Sequence, residues 1–231
     1  QLVGSLLKLI FGTVFVLLGF GVSGGMWAFF LAYFAPYLLT FIPLRFLFQK
    51  QNTKTNVSLK ELLSYGMPSA LTLFSLTSFI TIDTLIVKHF FDPKSAGIYA
   101  GISLLGRIIF FLSSPIGTVM FPLVVQKHTK QESIRSTFIL AMLMVFLPSI
   151  VLTIGYFLLP NLVIGLSLKN DQYLSGASLL GFMGIYMTAY SLLYLLANFY
   201  LSIKKTIVYI PIALGSILQA VLIWLFHEDF F

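Results

Sequence analysis

Cysteine is absent from the 231 residues. Neither a disulfide framework nor a thiolate metal site can be built without it. Charge is nearly absent too, at 9% of residues against about 25% in an ordinary soluble domain. No polar stretch is long enough to form a soluble domain, and no Walker-type glycine loop occurs, so ATP is excluded as a direct energy source. No clustered acid and histidine constellation is present either. That weighs against a membrane enzyme such as a polysaccharide polymerase or acyltransferase, and the chain is read as a non-enzyme without a cofactor.

Apolar side chains fill the space that charge leaves. They make up 58% of the sequence, with 24 phenylalanines and a mean hydropathy of +0.99. The natural solvent for such a chain is lipid. The net charge of +7 needs no nucleic-acid partner, because basic residues of membrane proteins gather in cytoplasmic loops. Seven apolar runs approach the ~20 residues that a helix needs to span a bilayer. They lie at 2–22, 26–46, 62–87, 95–125, 136–159, 174–202 and 207–226. The expected fold is an all-α polytopic bundle.

Lysine and arginine orient it. Arg45, Lys50, Lys54, Lys60, Lys127, Lys130, Arg135, Lys204 and Lys205 fall on one side, and Lys88, Lys94 and Lys169 on the other. The richer side is expected to be cytoplasmic, with "VSGG" as an external turn after the first run. "NVS" at Asn56 then faces the wrong side for glycosylation. The chain begins at Gln1, is apolar by Leu2 and ends "HEDFF" after another apolar run; both ends read as cut from something longer. Segment 47–60 is the candidate linker between two bundles.

Prolines recur within the runs: Pro36, Pro43, Pro68, Pro115, Pro122, Pro148 and Pro211. Each removes a helix hydrogen bond. The fourth run would be ~46 Å long as one helix, beyond a ~30 Å hydrocarbon core, and Pro115 is the expected bend.

Three ionisable residues sit within runs: Lys8, Asp83 and Arg107. Such groups are functional candidates by default. Arg107 lies ~18 Å below the outer end of its run, and its planar fork suits a phosphate pair. Lys8 is near enough to the boundary to snorkel. Asp83 lies only ~7 Å below the outer interface, a position that favours a gate or a structural carboxylate over a coupling-ion site. A straight-helix estimate separates it from Arg107 by ~10 Å, which leaves an anionic ligand as the partner of Arg107. Phe182, Tyr186, Tyr190, Tyr194 and Asn198 form one row at steps of four. Tyr186 and Tyr190 are mid-run and are expected to line a cavity where a sugar ring stacks. Gly97, Gly101 and Ser103–Gly106 offer a close-packing edge. A metal site from His89, Asp92, His227 and Glu228 lacks ligand spacing, and none is assigned.

The third and fourth runs carry a further pattern. "LKELLSYGMPSALTLF" is followed by "ITIDTLIVKHFFDPKSAGIYAGISLLGRIIFF" and a helix closing on "VMFPLVVQKHTK". Leu63, Tyr65, Gly66, Pro68, Asp83, Ala96, Gly97, Tyr99 and Pro122 in this order resemble the second half of a polysaccharide flippase. The group is the polysaccharide-transporter branch of the multidrug/oligosaccharidyl-lipid/polysaccharide exporter superfamily. The first two runs resemble the fifth and sixth helices of that family. The resemblance implies twelve to fourteen helices in two bundles. Residues 1–46 would close the first bundle, and 61–231 would form an incomplete second one. It implies flipping of lipid-linked oligosaccharide or polysaccharide precursors across the cytoplasmic (inner) membrane by alternating access, with the lipid-linked sugar and the bilayer as partners. Arg107, Lys8, Tyr186 and Tyr190 would be the substrate contacts. Asp83, Pro68 and Pro115 would serve gating or structure. A cation-coupled drug exporter of the same superfamily is the alternative, and Na+ or H+ coupling stays open under either reading.

Overall fold

The computed structural model describes residues 2–42, 44 and 58–226. Among them every regular element is helical. The chain divides into two compact units, Gln1–Asn56 and Val57–Phe231. Arg45, Lys50, Lys54, Asn56, His227 and Glu228, and nearly all of segment 47–60, lie outside the described residues.

The first unit is a helical hairpin of α1 (Leu2–Leu17) and α2 (Gly21–Thr40). Its turn is at Leu18–Phe20, where Gly19 takes a φ of +85°, and Gly21 opens α2 at +52°. Only glycine enters that region without a steric penalty. The external turn read at "VSGG" is therefore misplaced, because those residues lie in the first turns of α2. Gly24 serves packing instead: a Cβ there would stand 2.8 Å from the Cβ of Phe20 and 2.9 Å from that of Phe15. Ala28 and Ala32, 1% and 3% exposed, bring the two helices together. The Lys8 ammonium lies 3.8 Å from the centroid of the Phe29 ring, a cation–π contact.

In the second unit, α3 (Leu59–Phe79) and α4 (Ile82–Phe90) are bent by 43° at the two residues between them. Helix α5 (Pro93–Thr129) follows, started by Asp92, whose carboxylate accepts the amides of Lys94 at 3.0 Å and Ser95 at 3.1 Å. Pro93 at the first position lacks only a donor that the helix would leave unused. Next come α6 (Arg135–Leu158), a short α7 (Pro160–Leu168) that the sequence reading left as part of a joint, α8 (Ala177–Ser202) and α9 (Tyr209–Leu225). Short 3₁₀ turns at Asp171–Gly176 and Thr206–Val208 lead into the last two.

Helices α5, α6 and α8 pack around a core that includes Ile102, Ile109, Leu180, Met187 and Leu195. Hydroxyls join them: buried Ser113 to Ser149 at 3.3 Å, half-buried Thr153 to Thr188 at 2.9 Å, and buried Tyr156 to the Leu105 carbonyl at 2.7 Å. Gly106 lets α5 approach α8, since a Cβ there would lie 3.2 Å from that of Met183. Outward faces are apolar, with Phe74 and Leu214 at 75% and 62% exposure.

Four helical segments among the described residues are long and apolar enough to cross a membrane, five with the bent α3–α4 pair. The expected seven spans are thus matched at five. The first two runs form α1 and α2, helices of 16 and 20 residues that do not enter this set. The fourth run is one helix, α5, which continues through Pro115 and Pro122 for 37 residues. The carbonyl four residues before Pro115, that of Phe111, faces the Ser114 hydroxyl at 3.5 Å.

Candidate functional site

The break between α3 and α4 builds the site. Residues 80–84 read Ile-Thr-Ile-Asp-Thr, all of low helix propensity because of β-branching or side-chain competition with the backbone. No proline lies there. The last four carbonyls of a helix have no partner within it, and in lipid each must find one. Here all four do. Leu76 accepts from the Tyr190 hydroxyl at 2.9 Å and Thr77 from the Thr81 hydroxyl at 2.8 Å. Ser78 accepts from the Thr81 amide at 3.1 Å. Phe79 accepts twice, from the Tyr186 hydroxyl at 2.6 Å and the Gln219 amide group at 3.2 Å. That amide group also reaches the Tyr186 oxygen at 3.0 Å. Thr81 thus covers two of the four, and helices α8 and α9 supply the donors for Leu76 and Phe79.

Beyond the break, Asp83 occupies the first turn of α4 and is 2% exposed. A carboxylate is favoured there by the positive end of the helix dipole. The Tyr99 hydroxyl donates to its Oδ2 at 3.0 Å, and the Thr84 hydroxyl to its Oδ1 at 3.3 Å. The Thr84 oxygen in turn accepts from Arg107 Nη2 at 3.1 Å. A carboxylate and a guanidinium are therefore joined through one hydroxyl. Tyr99, Ser103 and Arg107 come to this place together because steps of four share a helix face. Ser103 Oγ and Arg107 Nε are buried without a protein partner, which leaves two unused donors beside the relay.

A cavity of about 300 Å³ adjoins, lined by Asp83, Tyr99, Phe182, Tyr186, Gln219 and Ile223 among others. Its lining is mostly apolar, with a few polar side chains (Asp83, Tyr99, Tyr186 and Gln219) among the apolar ones, the usual composition of a ligand pocket.

The expectation that Arg107 lacks a protein partner is overturned. Depths counted along straight helices put it ~10 Å from Asp83, but the bend turns α4 and the long guanidinium side chain reaches Thr84. Tyr190 is likewise not a cavity residue in this conformation: its ring is 4% exposed, packs against Phe110 at 5.0 Å and ends on a carbonyl. Tyr186 does line the cavity, with its hydroxyl already bound. Lys8 belongs to the first unit, and Pro68 lies within α3. Sequence reasoning missed Gln219 and Thr84, and read Ser103 only as part of a close-packing edge. Gln219 left a signal, as the one amide in "ALGSILQAVLIWLF", and a lone amide within an apolar run is a common interhelical donor. Among the described residues no group of three metal-ligating side chains forms.

Four or five membrane-capable helices and a helix break sealed by side-chain donors define a multi-pass membrane protein. The chain belongs to the polysaccharide biosynthesis protein family, whose family model matches residues 1–178. This flippase-like family is the one that the motifs between Leu63 and Pro122 resemble, and they all lie inside the matched stretch. No curated protein and no solved structure matches the chain.

Proposed function

We propose that the chain is the working part of a carrier that flips lipid-linked oligosaccharide or polysaccharide precursors across the cytoplasmic membrane by alternating access. The observation that carries this reading is the Asp83–Thr84–Arg107 relay laid across a broken helix. Charge within a span and a break within a span are both costly in lipid. A protein with one rigid arrangement gains little from having them side by side. A carrier with two arrangements needs a place where helix and charge re-pair.

In this reading Arg107 meets the anionic head group. Its Nε is unused and its Nη2 is held only by a hydroxyl, so phosphate oxygens compete for the fork with a neutral partner. Asp83 sets the conformation and is not the coupling-ion carboxylate. The protein acts by binding and movement without covalent chemistry.

The test is translocation of lipid-linked oligosaccharide in a flippase-deleted strain carrying the full-length gene, with expression checked. Arg107→Ala is expected to abolish export and Arg107→Lys to restore part of it, since charge survives but the bidentate fork does not. Asp83→Asn is expected to lower the rate and leave any dependence on Na+ or pH intact. Full export from Arg107→Ala at normal expression overturns the head-group role.

A further inference from the structure

The Phe79 carbonyl has two sets of donors available to it. In a straight helix running from α3 into α4 its partner would be the amide of Asp83, four residues on. In the structure it accepts instead from Tyr186 of α8 and Gln219 of α9, which also bond to each other. The donor that a straight helix would use belongs to the residue that carries the buried carboxylate.

We propose that Tyr186 and Gln219 form a donor latch that competes with the Asp83 amide for the Phe79 carbonyl, and so positions Asp83 and Thr84 against Tyr99 and Arg107. With the latch engaged, α3 ends at Phe79 and α4 lies at 43° to it. With the latch released, the Asp83 amide closes the ladder and α4 swings as a unit. The nine residues of α4 are ~13.5 Å long, so removing a 43° bend carries its far end ~9 Å sideways. Asp83 and Thr84 rotate with it, and their distances to Tyr99 and Arg107, both on α5, change together. The aromatic row on α8 gains a definite role here: Tyr190 holds the Leu76 carbonyl one turn earlier, so the tyrosines mark where α3 must stop. Tyr186 and Gln219 are positioning residues, acting on the charged relay through the backbone of α3.

The experiment reads geometry, so its outcome is independent of what the protein transports. The chain has no native cysteine. Spin labels at introduced cysteines in place of Lys88, at the far end of α4, and Leu158, at the end of α6, report the swing by pulsed electron–electron distance measurement in the full-length protein in lipid nanodiscs. The combined Tyr186→Phe and Gln219→Leu variant is expected to gain a second population displaced by up to ~9 Å. Tyr186→Phe alone, which keeps the ring and its packing, should show a smaller fraction of it. Ile82→Pro supplies the suppressor. It stands at the first position of α4 and disfavours the straight helix, where it removes the donor to the Ser78 carbonyl and its ring clashes with it; Thr81, at φ −124° and ψ −37°, eases toward extended backbone ahead of it. Adding it to the double variant should remove the second population, which repair of ordinary packing damage would not do. A distance distribution unchanged in Tyr186→Phe and in the double variant overturns the proposal. So does a second population that survives Ile82→Pro.

Discussion

The α3–α4 segment and α5 treat the same problem in opposite ways. Helix α5 carries two prolines in its interior and continues through both. The other segment breaks where it has no proline, after Phe79. Proline removes one donor, and the Ser114 hydroxyl faces the carbonyl that Pro115 frees, that of Phe111, at 3.5 Å. A real break frees a whole turn of carbonyls. It persists in lipid only where other helices bring donors, and here Tyr186, Tyr190 and Gln219 bring them. In this bundle, partners in space decide where a span breaks.

The contrast can be broken most forcefully at the relay. Asp83→Leu leaves the Arg107–Thr84 pair buried beside an apolar side chain, and truncating one partner of a buried charged set costs about 3–5 kcal/mol. A lower unfolding midpoint in detergent, larger than that of any proline variant in α5, is the expected result. A midpoint equal to wild type would mean that the relay carries no structural weight. Next in size is Tyr190→Phe, which leaves the Leu76 carbonyl without its side-chain donor at a cost of about 1–2 kcal/mol. The same change at Tyr200, 38% exposed, is expected to be near neutral, and equal losses at both would erase the distinction drawn here. Pro115→Ala should leave stability undiminished, since alanine restores the helix donor that proline lacks, with transport kept. Loss of transport from that change alone would mark Pro115 as the working bend.

The smallest effect concerns Asp92. Hydrogen bonds from the Ser95 side chain, then from the Ser95 amide, hold its carboxyl below the ordinary value of 3.8. A depressed folded-state value means that the capping contribution is complete above the ordinary range and fades as pH falls through the depressed one. The difference in thermal midpoint between wild type and Asp92→Ala should therefore hold near neutral pH and shrink below about pH 4. A difference independent of pH would show that the charge of the cap is irrelevant.

Sequence patterning was a good guide to where apolar helices run and which ionisable residues lie inside them. It placed Asp83, Arg107 and Tyr186, and all three meet near one break. What it could not carry is depth and direction. Counting 1.5 Å per residue assumes straight helices, and that assumption separated Asp83 from Arg107. The weak helix formers at residues 80–84 were a readable warning of the bend, but proline drew the attention instead. The role of Tyr190 was hidden for a different reason. A mid-span tyrosine looks the same in sequence whether its hydroxyl meets a sugar or a carbonyl, and only the partner helix decides.

The lengths of two helices have a consequence for the membrane itself. Helix α5, at 37 residues, is ~55 Å long against a hydrocarbon core of ~30 Å. It has about four turns to spare and keeps an apolar segment in the core of a thin or a thick bilayer alike. The span Thr206–Leu225 has 20 residues, ~30 Å, which just matches the core with no reserve. Thickening the bilayer by a few ångströms leaves α5 untroubled and strains the short span, which must stand upright or draw the lipid thin around it. That short span contains Gln219. Lipid chain length therefore acts on this protein unevenly, pressing first on the helix whose amide closes the break.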